Sequence, residues 1–412
     1  MAVIRPFKAV RPRIELASQV AALPYDVYNR EEALLEVKKE PLSFLRIDRA
    51  EIEFDTSVDA HQPIVYQKAK EILDKMIHNG AFITEGKACY YIYELTMDGR
   101  GQTGIAACAS IDDYLNNTIK KHEKTRTDKE QDRINHVDIC DAQTGPIFLA
   151  YRSSEVINQV VERIKANKAI YDFVSVDNVR HRVWIIDNDE DIKTLHEAFE
   201  LINHIYIADG HHRGASAVNV GLKRRAENPD YKGDEAFNYF LSVLFPHDQL
   251  MILPYNIVVK DLNHYSVPSL LDEIGDNFLF EENNATAYAP NKKGTFGMLL
   301  ADKWYILTAK PHILSDDPVK GLDVSVLQDY LLEPLLGIRD PRTDKRIDFV
   351  GGIRGLSELE KRCHKDMKIA FSMYPTSIEE LFDIADADEL MPPKSTWFEP
   401  KLRSGLFIQK LR

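Results

Sequence analysis

The chain has 412 residues, enough at roughly 100–200 residues per domain for two or three domains with large buried cores. Its 52 Lys and Arg against 65 Asp and Glu give a formal charge of −13, a field that repels nucleic-acid backbones and acidic membrane surfaces. With 44% apolar and 28% charged residues and only 19 Gly and 19 Pro, low-complexity and collagen-like classes are excluded.

The amino terminus carries Arg5, Lys8, Arg11 and Arg13 ahead of Ile14–Leu23, the order of a secretory leader, but Glu15, Ser18 and Gln19 interrupt the apolar stretch. No segment reaches the ~18–20 uninterrupted apolar residues of a bilayer-spanning helix. A soluble cytoplasmic protein without membrane or nucleic-acid partners is therefore expected. Cys89, Cys108, Cys140 and Cys363 lie far apart without CxxC spacing, which fits reduced thiols better than a disulfide or zinc framework.

In chain order, Val65–Asn79 sets Val65, Ala69, Ile72, Leu73 and Met76 at helical spacing and stops at Gly80. Cys89–Leu95 and Gly104–Ser110 read as strands of a hairpin turning at Asp98-Gly99. Strands follow at Pro146–Tyr151, Tyr171–Val176, Arg182–Ile186, Ile205–Ala208, Phe240–Phe245, Asn256–Val259 and Thr295–Leu299. Helical patterns fall between them at Ser154–Ala166, Asp191–Asn203 and Gly214–Asn228. Asp323 is placed to cap a helix carrying Val324, Leu327, Leu331 and Leu332, and the charged loop Arg339–Arg346 comes next. Helix-like Leu356–His364, strand-like Lys368–Met373 and a helix from Ser377 precede the proline-rich Met391–Leu406, read as a loop. The alternation predicts a mixed α/β (α+β) fold. The expected division is an N-terminal segment 1–82 packing on a core 83–262, followed by a C-terminal α/β domain 263–412.

The strongest local signal is Ile205-Tyr206-Ile207-Ala208-Asp209-Gly210-His211-His212-Arg213, an apolar strand running through a tight turn into a helix. Asp209 is suited to cap that helix and Gly210 to make the turn. His211, His212 and Arg213 then stand in the first turn, where the helix dipole disfavours each cation by about 0.3–1 kcal/mol. A bound phosphate reverses the sign, because free backbone N–H groups, the Arg213 fork and the imidazoles converge on it. The alternative is a capped helix with two surface histidines; adjacent histidines diverge on a helix, and HExxH zinc spacing is absent.

A second box, Ile119-Lys120-Lys121-His122-Glu123-Lys124-Thr125-Arg126, precedes Thr127 and Glu130, whose capping-box spacing predicts a helix start and leaves Lys120–Arg126 as an exposed loop. Ten of the fourteen residues from Lys120 to Arg133 are charged, which by itself describes a solvated face. Glu123 in this cationic setting is expected to be ionised and able to accept a hydroxyl proton. With a phosphate cradle and Asp209 available to a divalent ion, the parts of phosphoryl transfer are present, although neither a Walker A loop nor the protein-kinase motif set occurs.

Asp209–Arg213 after a strand, with the preceding His122-Glu123-x-Thr125 loop, resembles the ParB/sulfiredoxin-like superfamily and, within it, the free serine kinases of the SerK type. Over nearly its full length the chain resembles a bacterial and archaeal domain-of-unknown-function family placed beside those kinases. That resemblance is carried by Ile4-Arg5-Pro6-Phe7, Leu23-Pro24-Tyr25-Asp26-Val27, both boxes, and Met391-Pro392-Pro393-Lys394-Ser395-Thr396 with Pro400-Lys401. It implies a ParB/sulfiredoxin-like core with additional N- and C-terminal parts, phosphate contacts from Asp209, Gly210, His211, His212 and Arg213, and deprotonation of serine by Glu123. The sequence departs from the pattern at Ile257, where relatives are expected to carry arginine.

The expected function is a magnesium-dependent phosphotransferase with ATP or ADP as donor and a small hydroxylated metabolite as acceptor, free L-serine first, in either direction. Glu123, Asp209 and His211 are the expected catalytic residues, with Asp209 also the magnesium ligand. Gly210, His212, Arg213, His122 and Thr125 are expected to bind nucleotide phosphate, and Lys394, Thr396 and Lys401 the substrate. The rival expectations are a ParB-like nucleotide-binding switch and a metal-dependent hydrolase using His122, His211 and His212.

Overall fold

A computed structural model of the chain describes residues 1–283 and 286–412. The chain divides into two units, one of residues 1–250 with 400–412 and one of residues 251–399. Residues 1–82 thus lie in the first unit, and so do residues 400–412, which the sequence reading placed in a C-terminal domain.

The first unit is built on strands β1 (Ile4–Arg5), β2 (Tyr90–Met97), β3 (Arg100–Ser110), β4 (Ile119–Lys120), β5 (Ile147–Tyr151), β6 (Tyr171–Val174), β7 (Arg180–Ile186), β8 (Ile205–Asp209) and β9 (Tyr239–Pro246). They form a sheet of order β4-β8-β5-β9-β3-β2-β7-β6, with β1 beside β3. The pairs β4 with β8 and β5 with β9 are parallel, and the other pairs are antiparallel. Asp98 and Gly99 turn the β2–β3 hairpin at φ +51° and +79°, the backbone that a two-residue turn of a twisted hairpin requires.

Its helices are α1 (Pro63–His78), α2 (Thr127–Cys140), α3 (Glu155–Lys165), α4 (Asp189–Glu200) and α5 (His211–Glu227). Ile157 and Val161 of α3, Leu195 and Phe199 of α4 and Val218 of α5 close over Ile92, Ile105, Leu149, Ile207 and Leu244 of the sheet. A second, separate cluster brings Val65 and Leu73 of α1 together with Phe44, Phe82, Cys140 and Ile408.

In the second unit, β10 (Tyr255–Val259), β11 (Phe278–Glu282), β12 (Thr295–Leu300), β13 (Lys303–Ala309), β14 (Ile347–Gly351) and β15 (Ile369–Ser372) form an antiparallel sheet of order β11-β13-β12-β15-β10-β14. The fold class is mixed α/β.

Two expected caps are absent. Asp323 is the first helical residue rather than the cap; its carboxylate accepts the Gly294 N–H at 2.9 and 3.1 Å, and the helix relaxes into a π-helical turn over Gln328–Leu332. Thr127 likewise begins α2 with Arg126 as the uncapped N-terminal residue. No helix among the described residues is long and apolar enough to cross a membrane, and Cys89, Cys108, Cys140 and Cys363 are free thiols.

Candidate active site

Strand β8 lies between β4 and β5, and its pairing with β5 slips between Ile207 and Asp209. Such a bulge re-aims the next side chain. Gly210 follows at φ +95°, so the turn uses a conformation that a Cβ disfavours, and α5 begins at His211 with no side chain capping it. Gly210, and not the expected Asp209, thus occupies the cap position. The Asp209 carboxylate faces Arg213 Nη2 at 3.3 Å and Lys401 Nζ at 3.8 Å.

The Arg213 guanidinium lies against two glycines. A Cβ on Gly210 would stand 3.1 Å from Nε and Nη2, and one on Gly145 would stand 3.5 Å from Nη1. Nη1 donates to the Pro146 carbonyl at 2.7 Å, which fixes the fork beside the helix start. The first N–H groups of an α-helix have no partner within it. Arg213 and Lys401 thus flank an uncapped helix terminus, a geometry suited to an anion.

The parallel register pairs Ile119 with Ile205 and Lys120 with Tyr206. Three residues beyond this pairing, Glu123 lies beside the start of α5. Glu123 Oε2 is 3.8 Å from His211 Nδ1, and the carboxylate is 43% exposed at the mouth of the site. His122 and His211 meet edge to face with ring centroids 4.5 Å apart. Burial pushes His122 down to about 4, while the Asp209 charge and the Ile207 carbonyl act the other way. Burial, then neighbouring His122, drives His211 well below its ordinary range. His122 Nδ1 and His211 Nε2 are buried without a hydrogen-bond partner.

Two features of the second box differ from the expectation. Lys120 and His122 are buried at 7% and 3% exposure, so Lys120–Arg126 is not an exposed loop throughout. Thr125 and His212 fasten that loop: Thr125 Oγ1 donates to Glu130 at 2.9 Å, and the Arg126 N–H donates to His212 Nε2 at 3.0 Å. Burial lowers the His212 pKa as well. Neutral histidines weaken the dipole conflict inferred from the sequence, leaving Arg213 as the permanent cation of the first turn, already balanced by Asp209.

The three imidazoles do not converge on a common point, and no cluster of three or more His, Cys, Asp or Glu suited to a metal occurs among the described residues. A hydrolase built on His122, His211 and His212 is not supported by this arrangement. A resident magnesium ion fits poorly too, because the Asp209 carboxylate already faces two cations. Lys401 of the expected substrate group reaches this site. Lys394 and Thr396 belong to the second unit, where exposed Lys394 lies 5.5 Å from the Tyr255 ring centroid.

Residues without an assigned role in the sequence reading also gather here. The Arg133 guanidinium sits 4.1 Å over the Tyr25 ring. Burial pushes the Tyr25 phenol up to about 12, opposed by the charges of Arg133 and Arg213. A cavity of about 30 Å³ lies among Tyr25, Asp48, Arg133, Thr144, Arg213 and Ser404, water-sized rather than ligand-sized. The Leu23–Val27 motif was the available signal; nothing in its spacing said which side chain it would meet.

The family model described as "Protein of unknown function (DUF1015)" matches residues 4–325. No curated protein matches the chain at a significant level. Among solved structures, a free serine kinase in complex with AMP aligns at 13% identity and a TM-score of 0.37, covering 73% of this chain and 91% of that one. A conserved hypothetical protein from Pyrococcus furiosus aligns at 15% identity and a TM-score of 0.34, covering 74% and 95%. SbnI from Staphylococcus aureus, truncated at its C terminus, aligns at 11% identity and a TM-score of 0.40, covering 74% and 87%.

Proposed function

The chain belongs to the DUF1015 family, and from the geometry of its Asp209–Arg213 turn we propose that the protein is a phosphotransferase with an alcohol group as acceptor. ATP or ADP is the donor, and free L-serine, giving O-phosphoserine, is the first candidate acceptor; the reverse reaction uses the same groups. The observation that carries this reading is the juxtaposition of an exposed carboxylate, Glu123, with an uncapped helix terminus flanked by Arg213 and Lys401.

In this reading the acceptor hydroxyl donates to a Glu123 carboxylate oxygen and leaves its proton there as the hydroxyl oxygen bonds to phosphorus. The bond from phosphorus to the departing nucleotide oxygen breaks. Charge on the transferring group is met by the N–H groups of α5, by Arg213 and by Lys401. Neutral His211 positions Glu123, and Asp209 holds the two cations in place. Gly210 lets the backbone approach the phosphate, and His122, Thr125 and His212 keep the turn and loop together. Magnesium enters with the phosphates of the nucleotide, and no step is routed through a protein-bound ion.

The test supplies radiolabelled ATP, and separately ADP labelled in its β-phosphate, with free L-serine. The wild-type protein is expected to form phosphoserine, and Glu123→Gln to lower turnover about 100-fold, the low end for loss of a general base. No phosphoserine from either donor, or undiminished turnover in Glu123→Gln, overturns the assignment. Nucleotide binding without turnover is the behaviour of a switch.

A further inference from the structure

The opening motif Ile4–Phe7 takes no part in the site above, although its placement is closely determined. Strand β1 pairs Ile4 with Ala109 and Arg5 with Cys108. Ile4 is fully buried in the core, so by strand alternation Arg5 faces the opposite side. There its guanidinium carbon lies 4.7 Å from the Tyr239 ring centroid. Stacking on a ring occupies the flat face of a guanidinium and leaves its N–H edge to bind carboxylate or phosphate.

Arg5 lines a cleft of about 660 Å³, within the ~300–1,000 Å³ range of small-molecule sites. Phe7 and Tyr239, both nearly buried, contribute apolar wall, together with Ile77 and Ala88. The permanent charges of the lining are Arg5, Lys8, Lys410 and Arg412 against Asp74 and Asp234. A local excess of two positive charges thus stands in a chain whose total is −13. Lys410 Nζ donates to the Cys140 carbonyl at 3.3 Å, and Arg412 is 3.7 Å from Asp141. Arg5 and Lys8 have no carboxylate partner among the described residues.

This cleft is separate from the Asp209–Arg213 turn. Strands β5 and β9 lie between β8 and β3 in the sheet order, a step of about 14 Å at the usual strand spacing. None of the residues proposed for phosphoryl transfer lines it.

We propose that this cleft is a second small-molecule site, binding an organic anion that carries a phosphate or carboxylate group on an apolar or aromatic body. Arg5 and Lys8 receive the anionic group, and the Phe7–Tyr239 wall receives the body. The proposal stands independently of the phosphotransferase reading.

The experiment titrates 8-anilinonaphthalene-1-sulfonate, an aromatic sulfonate whose fluorescence rises in apolar surroundings, into the full chain. One saturable site is expected. Lys8→Glu, at an exposed position, and Arg5→Gln are each expected to weaken binding at least tenfold, while Lys401→Gln leaves it within twofold. Thermal melts establish that the variants are folded, with Lys8→Glu the variant least able to disturb packing. Displacement of the probe by phenyl phosphate or by phenylacetate identifies which anionic group the site takes. Affinity unchanged in Lys8→Glu, loss of binding in Lys401→Gln, or displacement by neither compound overturns the proposal.

Discussion

His122 and His211 show how a motif rich in basic side chains becomes electrically quiet when folded. Both are buried, and the unfolded chain takes up protons near pH 6.5 while folded His122 does so only at about 4. Stability is therefore full above pH 6.5 and is lost as the pH falls from 6.5 towards 4, because the unfolded state binds the proton first. The His122 contribution is about 3 kcal/mol at 1.36 kcal/mol per unit. Urea unfolding at pH 7 and pH 4.5 is expected to show a smaller loss in His122→Gln than in wild type; an equal loss contradicts this account. The sequence made the turn at Asp209–Arg213 legible, because Gly after an apolar strand and before a helical pattern has few other uses. The partners within it were not legible: Asp209 faces Arg213 of the helix's first turn and also Lys401, a tertiary outcome that depends on a residue nearly two hundred positions away.

At the level of elements, long periodic segments were readable and those held by tertiary contact were not. The helix expected over Val65–Asn79 forms over Pro63–His78, and the strand expected over Ile205–Ala208 forms over Ile205–Asp209. Met391–Leu406 gave a loop pattern, yet residues 400–412 belong to the first unit, with Phe407 against Tyr91 and Tyr93 at 5.1 and 5.9 Å between ring centroids. No local periodicity encodes such a placement, since it also rests on the backbone bridges of Ser404 with Ala22 and Ile408 with Val10, on the Arg403–Asp177 ion pair and on a tight bend. That bend is Gly405, at φ +86°, where a Cβ would stand 2.7–2.8 Å from Phe44. Gly405→Ala is expected to cost roughly 2–5 kcal/mol, from left-handed strain of about 1–2 plus overpacking of about 1–3. Denaturant unfolding measures it, and a change below 1 kcal/mol contradicts the packing described for this bend.

For the molecule as a whole, domain boundaries were the least legible feature, because the second unit begins at Met251 in a segment without a composition shift and ends inside the proline-rich Met391–Leu406, whose pattern reads only as a loop. Residues 251–399 enter and leave through one small ladder, in which Met251 pairs with Glu399 and Leu253 with Trp397. Their core of Val259, Leu270, Phe296, Leu307, Leu327 and Phe371 is their own. Expressed alone, residues 251–399 are expected to unfold in one cooperative transition on heating; a non-cooperative melt contradicts their independence. The total charge of −13 argued against polyanions, and the structure sharpens that inference by showing Arg213 and Lys401 gathered at one helix terminus. A crystal structure of the protein with bound ADP tests this account most directly. The expected result places the phosphates within hydrogen-bond distance of the N–H groups of His211–Arg213, with Glu123 facing the terminal phosphate; phosphates lying away from that turn would contradict it.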